Sequence, residues 1–520
     1  MEISPQLLVE GAPMRQRCLR VKHILFGDLG CVKELSAQTR NEIFFLGVNY
    51  LKVGLSVSEM QDFIRLCDEK HFVLPEGCVL SVEDEATISS RANAAMQSVL
   101  SASEHHQSGD SFGGTPHNLS LGPKRSRLEA VGMRELRGKM RMAEILADMH
   151  DYDAMNKTLK GLFLDVHSMQ EMTTGSQGID SALVELEIIR RSVELSLSAG
   201  ALEIVKTLMG SSMTSLIEHA AQYMLAAQGG GLSHIALQQH RCTEGTVREI
   251  EEHVLFFSIV RALCMFEDCN FDGFVAVFTA NGLRGAKWAP LSEELLTKHG
   301  TAEVAASLGA RINTSGTLPA IRHLRYFVEK FITSGAHLGV MLLFSAFAAL
   351  PRMEAMELIV QVDIRQLWED VPDACTLVQT LEEARFAEAL NLASKLASSF
   401  LKTDIFACKH SELLLRQFQQ AVVTGYVSNF TTLDVRKAAS RLSINVKDLQ
   451  QLLQLLILEG RLSAKLDLVA LVLTRGENYG GFVDTSCQCS TLLECIAHSD
   501  NCTYVVEQSL RNLSLHRNHM

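Results

Sequence analysis

The most metal-like spacing in the chain is Cys487-x-Cys489, followed by Cys495, His498 and Cys502. Thiolates and imidazoles are the donors a tetrahedral zinc ion takes. Structural zinc sites, however, space paired cysteines by two to four residues, and a Cys-x-Cys with uneven followers does not fit. These cysteines read as free thiols, so no metal ligands and no cofactor are assigned. Gly282-Leu283-Arg284-Gly285-Ala286-Lys287 lacks the length and the closing hydroxyl residue of a phosphate-binding loop. Gly229-Gly230-Gly231 follows a helical pattern rather than a strand and reads as a linker. Gly175-Ser176-Gln177-Gly178 has the wrong spacing for a nucleophile elbow. The acid pairs Glu251-Glu252 and Glu382-Glu383 fall on helical patterns, where a solvated face accounts for them. Trp288 and Trp368 read as core or interface anchors. With no catalytic constellation, the chain is expected not to be an enzyme.

The elements that would position any site are helical. The 520 residues include only 9 prolines, with Leu, Ala, Met, Gln and Glu plentiful, which favours long helices. That length suits three or four domain-sized units. Lys and Arg number 48 against 60 Asp and Glu, a formal charge of −12, which argues against a protein that coats nucleic acid. Met1-Glu2-Ile3-Ser4-Pro5 has no basic n-region, so no secretory signal is read. Residues 337–350 form the most membrane-like stretch. It falls short of the roughly 20 residues a span needs, so a buried helix is expected and no membrane partner. Thirteen cysteines, an odd number, suit reduced thiols in the cytoplasm and nucleus. Pro123-Lys124-Arg125-Ser126-Arg127 reads either as a nuclear signal or as a solvated linker.

Periodicity divides the chain. Residues 1–100 form an N-terminal helical region, with Ile43, Phe44, Leu46 and Leu51 and then Met60, Phe63, Ile64 and Cys67 at helical spacing. Residues 101–126, rich in Ser, His, Gly and Pro, read as a flexible linker. Residues 127–310 show helical pairs: 133–149 with 154–166, 182–197 with 201–209, and 246–266 with 271–280. The first turn, His150-Asp151-Tyr152, precedes Asp153 as an expected N-cap and looks like that of a tetratricopeptide-type hairpin. The period is inconstant, so a degenerate TPR-like solenoid is expected, a form that binds other proteins. Residues 311–426 continue with helices at 318–333, 337–350, 352–360, 371–382, 386–401 and 403–423. Residues 476–520 form a tail compatible with one or two helices.

Residues 427–475 change grammar. Thr432 caps a helix over 433–442, with Val435, Ala438, Ala439 and Leu442 on one face. Asn445 caps a second helix over 446–459, with Val446, Leu449, Leu452, Leu453 and Leu456 inward, and Gly460 stops it. Residues 462–467 alternate as a strand, and 468–473 form a second strand across a short turn. Helix, turn, helix and two-stranded wing make a winged helix. As a DNA reader it is poorly equipped. Its second helix carries Lys447 as its one cation beside Gln450, Gln451 and Gln454, and 427–474 holds six Lys/Arg against four Asp/Glu. Nucleic acid is therefore not an expected partner, and open strand edges that pair with neighbours are.

A helical array running into a winged helix is the plan of PCI-domain scaffold proteins of the proteasome lid, the COP9 signalosome and translation initiation factor 3. Tyr426-Val427-Ser428-Asn429-Phe430-Thr431-Thr432-Leu433-Asp434-Val435 resembles the start of the PCI winged helix. Gln454-Leu455-Leu456-Ile457-Leu458-Glu459-Gly460-Arg461-Leu462-Ser463-Ala464-Lys465-Leu466-Asp467 resembles its apolar helix, Glu-Gly stop and strand. Phe386-Ala387-Glu388-Ala389-Leu390 looks like the helix start that precedes it. Among PCI families the chain is most similar to the subunit 1 family of the COP9 signalosome, with the proteasome lid PCI subunits as near relatives. The resemblance is strong over 403–474, fair over 133–401 and poor before 133. The 101–126 insertion, the triple glycine and the Trp288 neighbourhood have no counterpart.

The resemblance implies a mainly α fold, with a TPR-like solenoid leading into a PCI domain with a C-terminal winged helix and then a helical tail. It implies a non-catalytic scaffold in a complex that removes a ubiquitin-like modifier from cullins (deneddylation) and so regulates cullin–RING ubiquitin ligases. The alternative is a 26S proteasome lid scaffold. Implied partners are other PCI subunits, a metalloprotease-type catalytic subunit and cullin–RING ligases. The His-x-His motif of that catalytic subunit is absent from this sequence: His105 and His106 are adjacent, and His516 and His519 are three apart. Two contact surfaces are expected. One is the winged-helix edge, at Leu462, Ala464 and Leu466 or along an outer strand over 468–473 with Leu471 and Leu473. The other is the C-terminal helix, at Val505, Leu510 and Leu513, for which packing on its own domain is the alternative.

Overall fold

The computed structural model describes residues 4–27, 35–72, 75, 80–104, 122–172, 179–209, 244–279 and 324–475. They are mostly helical, with three short strands. The chain divides into two compact units. The first comprises Met1–Ala384 and Asn391–Phe418, the second Arg385–Leu390 and Gln419–Met520.

In the first unit, α1 (Met14–Phe26) is followed by α2 (Ala37–Val53) and α3 (Val57–Glu69), whose N-termini are closed by Ser36 and Ser56 hydroxyls accepting from Thr39 N and Glu59 N. Their apolar stripes meet in an aromatic cluster, with Phe63 5.3 Å from Phe26 and 5.2 Å from Phe44. After α4 (Val82–Glu104) come the pairs α5 (Gly122–Asp148) with α6 (Tyr152–Met172), α7 (Ile179–Ser198) with α8 (Leu202–Leu208), and α9 (Glu244–Glu267) with α10 (Phe271–Phe278). All three expected hairpins are present. The first closes on Ala143, Leu146, Ala147, Met155 and Leu159, with Leu195 of α7 completing the cluster. Its cap differs from expectation: Asp151, not Asp153, accepts the Ala154 N–H, and the helix already starts at Tyr152. Helix also extends into both ends of the expected 101–126 linker, and 105–121 lie outside the described residues.

Next come α11 (Leu324–Phe331), α12 (Gly335–Ala349), α13 (Arg352–Ile359), α14 (Val362–Trp368) and α15 (Pro372–Glu382). α12 is buried on every side from Gly335 to Phe347, as a helix inside protein must be. Among the described residues no single helix is long and apolar enough to cross a membrane. α16 (Phe386–Leu396) runs into a π-type turn, Ala397–Leu401. The helix expected over 403–423 begins instead at Ser411, as α17 (Ser411–Val427). The cause is Asp404. Its carboxylate accepts the N–H groups of Phe406 and Ala407, offering the backbone a turn in place of the helical ladder.

In the second unit, β1 (Thr432–Asp434) leads into α18 (Val435–Leu442) and α19 (Val446–Leu458), then β2 (Ala464–Asp467) and β3 (Val472–Arg475). The sheet order is β1-β3-β2, antiparallel throughout, with Leu473 opposite both Leu433 and Leu466. Three expectations are corrected. Thr432 is in a strand, and Asp434 caps α18 by accepting from Arg436 N and Lys437 N. The strand expected from Leu462 starts at Ala464. The strand expected over 468–473 is shorter and later, because 468–471 form the hairpin turn. Asp467 Oδ1 accepts from Val469 N and Ala470 N there, and Leu471 closes the turn at φ +55°.

Candidate interaction surface

The small sheet of the second unit is held from behind by its helices. α18 buries Val435, Ala438, Ala439 and Leu442, and α19 buries Leu449, Leu453 and Leu456. Ser443 in the left-handed region ends α18, and Asn445 caps α19 by accepting from Lys447 N. Phe386, Tyr426 and Phe430 form an aromatic row, with ring centroids 5.6 Å and 5.2 Å apart. Arg475 reaches from the end of β3 to the Ser428 carbonyl, and Arg461 Nη1 donates to Gln420 Oε1 at 2.9 Å.

On this frame the expected contact residues separate. Leu473 lies on the central strand and is 1% exposed, so it is core and not edge. Leu471 is in the turn, and its carbonyl accepts the Val435 N–H at 2.8 Å. Leu462 is buried just ahead of β2. Ala464 and Leu466 sit on β2 half-buried, alternating with exposed Lys465 and Asp467. β2 is an outer strand, so among the described residues one row of its backbone N–H and C=O groups has no strand partner. β1 and β2 are thus the two outer strands of the described sheet, and the expectation of an edge over 468–473 is corrected, because β3 is paired on both sides. Val505, Leu510 and Leu513, and the Cys487–Cys502 cluster, lie outside the described residues.

Four exposed apolar side chains stand on this unit, two that reading the sequence missed and two that it placed in a strand. Leu455 and Leu458 stand on the solvent face of α19, and Leu468 and Val469 at the hairpin tip. Val469 is 90% exposed. The signal for the first two is their place off the 449/453/456 stripe. The other two were hidden by reading the turn as strand. The Asp467 carboxyl is held below the usual carboxylate range by the two N–H groups it accepts, chiefly that of Ala470. Surface of this kind, an outer strand with no further strand beside it among the described residues and with scattered apolar side chains, suits strand addition and apolar contact with another protein.

The first unit holds a second polar constellation, which is sealed. Arg20, Thr333, His337, Thr403 and Asp404 are all buried. Arg20 Nη2 donates to Thr333 Oγ1 and Asp404 Oδ2, each at 2.7 Å, and His337 Nε2 lies 3.3 Å from Thr403 Oγ1. Burial, with Arg20 nearby, pushes the His337 imidazole down to about 3. Burial alone would raise the Asp404 carboxyl, but Arg20 and the backbone donors outweigh it and hold it below its ordinary value. Gln16 Nε2 donates to Ile332 O at 2.5 Å and His23 Nε2 lies 3.1 Å from Lys402 O, so α1 is keyed to the same place. Trp368 is buried, a core residue as expected, and Trp288 lies outside the described residues.

No family model matches the chain. Among curated proteins it is similar to COP9 signalosome complex subunit 1 of Arabidopsis thaliana, 26% identical over 123 residues, which cover 24% of this chain and 28% of that protein. The match thus spans less than a third of the relative's length, and it supports a distant relationship between the two chains.

Proposed function

We propose that this chain is a non-catalytic scaffold of a COP9 signalosome-type complex, built as a helical solenoid leading into a PCI domain with a C-terminal winged helix. The observation that carries the reading is the distant relationship to COP9 signalosome complex subunit 1. The strand–helix–helix–strand–strand order of 432–475, ending in a hairpin whose β2 is an outer strand of the described sheet, supports it. In this reading β2 extends its sheet into a neighbouring PCI subunit, with Ala464 and Leu466 seating the strand. The apolar residues of the 476–520 tail meet sister subunits. The assembly, in cytoplasm and nucleus, supports a metalloprotease-type subunit that removes a ubiquitin-like modifier from cullins and so regulates cullin–RING ligases.

The test is an affinity purification of the full chain from native extract, read by mass spectrometry. It is repeated with Ala464→Asp/Leu466→Asp and with Val469→Asp. Thermal melting of each variant checks that it is folded, and Val469→Asp, at an exposed tip, keeps the parent midpoint. Recovery of PCI subunits together with a His-x-His metalloprotease, reduced in the variants, is the expected result. Recovery of proteasome lid and base proteins would instead make the chain a lid scaffold. Recovery of neither group would overturn the complex assignment.

A further inference from the structure

Cys269 occupies the turn between α9 and α10, with φ +57° and an exposed side chain. Its Sγ lies 3.3 Å from Nδ1 of His410, 141 residues later in the chain. On the other side of the same ring, Nε2 of His410 lies 3.6 Å from Oε2 of Glu267 and makes no hydrogen bond among the described residues. The second oxygen of Glu267 is held by Lys409 Nζ at 2.7 Å. Phe266 meets the imidazole edge-on at 5.7 Å, and the His410 and Glu267 side chains are only 13% and 12% exposed. Thiol, imidazole and carboxylate therefore stand in line, the last two shielded and the first open to solvent.

This order has a chemical meaning. A carboxylate beside Nε2 favours the tautomer that carries its proton there, which leaves the Nδ1 lone pair facing the thiol. When the imidazole takes the thiol proton, the carboxylate stabilises the resulting imidazolium. Beside the turn, Lys206 is paired with Asp268 at 2.7 Å and with Glu203 at 3.2 Å. Other described cysteines have different surroundings. Burial pushes Cys18, Cys67 and Cys264 up to about 11. The Cys375 thiol donates to the Glu369 carbonyl at 3.2 Å, and burial raises it as well.

We propose that Cys269 is a reactive thiol, with His410 as its base, and that it is reversibly modified by low-molecular-weight disulfides. His410 Nδ1 takes the proton from Sγ, and Sγ attacks one sulfur of the disulfide. The new S–S bond forms as the old one breaks, and the departing thiolate takes the proton from the imidazolium. The small disulfide is the oxidant, one small thiol is released, and Cys269 is left as a mixed disulfide that excess thiol reverses.

The full chain is treated with iodoacetamide or with glutathione disulfide, and the modification rate of each cysteine is read by peptide mass spectrometry, in native buffer and in urea. In the native chain Cys269 reacts about tenfold faster than in the unfolded chain, while Cys375 reacts more slowly than when unfolded. His410→Gln brings Cys269 down to its unfolded rate. A native Cys269 rate at or below the unfolded one overturns the proposal, as does a folded His410→Gln chain that reacts like the parent. The native-to-unfolded comparison needs no variant, so it decides the matter even where the substitution disturbs folding.

Discussion

Arg20 and Asp404 meet at 2.7 Å with neither side chain exposed to solvent. The pair joins α1 to the turn that precedes α17. Its saturation is uneven. Asp404 spends one oxygen on Arg20 and the other on two backbone N–H groups, whereas Nε and Nη1 of Arg20 are buried without hydrogen-bond partners among the described residues. A pair of this kind adds little over an apolar replacement, yet leaves a costly charge when one member is removed.

Arg20→Ala or Asp404→Ala is therefore expected to destabilise the protein by about 3–5 kcal/mol in urea unfolding. The double variant Arg20→Met/Asp404→Asn, which keeps an acceptor for Phe406 and Ala407, recovers most of that loss. The acid response follows in sign. The folded carboxyl sits below its unfolded value of roughly 3.9, so its contribution is present above that pH and is lost as pH falls through the lower, folded value. The double variant flattens that limb, and an unchanged limb would assign the acid sensitivity elsewhere.

His253 gives a second pH handle. It is buried, neither ring nitrogen has a hydrogen-bond partner among the described residues, and burial together with Arg190 and Arg191 lowers it to about 4. An unfolded histidine titrates near about 6.5, so between these values the unfolded chain binds the proton first and stability falls as pH drops. His253→Phe preserves the stacking on Phe257, 6.4 Å away, and removes two unsatisfied atoms. It is expected to equal or exceed the parent at pH 7.5. Between pH 6.5 and 5 it should lose up to about 1.4 kcal/mol per pH unit less than the parent does. Identical slopes for the two proteins would refute the assignment.

Packing is tested by two glycines. A Cβ on Gly339 of α12 would stand 2.9 Å from the Leu367 carbonyl carbon of α14, whereas one on Gly138 of α5 would meet nothing within 4 Å. Gly339→Ala should cost about 1–3 kcal/mol through overpacking. Gly138→Ala should stabilise by about 0.5–1 kcal/mol through helix propensity. Thermal melts of the two single variants, moving in opposite directions, check this.

What was legible in the sequence was local. The α7–α8 and α9–α10 hairpins announce themselves by apolar spacing and by turn residues such as Gly200 and Asn270, whose signals act within a few positions. α19 was readable at both ends, from Asn445 and Gly460. β1 was not, because Thr432-Leu433-Asp434 becomes a strand only by pairing with 472–474. The same holds for Asp404, which looks like an ordinary helix residue until Arg20 arrives from the far end of the chain. In the candidate surface, the alternation of 462–467 marked β2, two residues early at its start. Deciding which strands lay outside required the sheet order, and an apolar run from 468 to 473 gives no hint that an Asx turn interrupts it.

The 384 residues between Arg20 and Asp404 also set a schedule. A ribosome adding about 5–20 residues per second takes roughly 20–80 s to cover that distance. Throughout that interval α1 has emerged while the carboxylate that neutralises its guanidinium has not been made. The contact between α1 and that turn is consequently among the last of its unit to form. A nascent chain stopped before residue 404 presents Arg20 to solvent or to a chaperone, which makes that arginine a marker of unfinished synthesis.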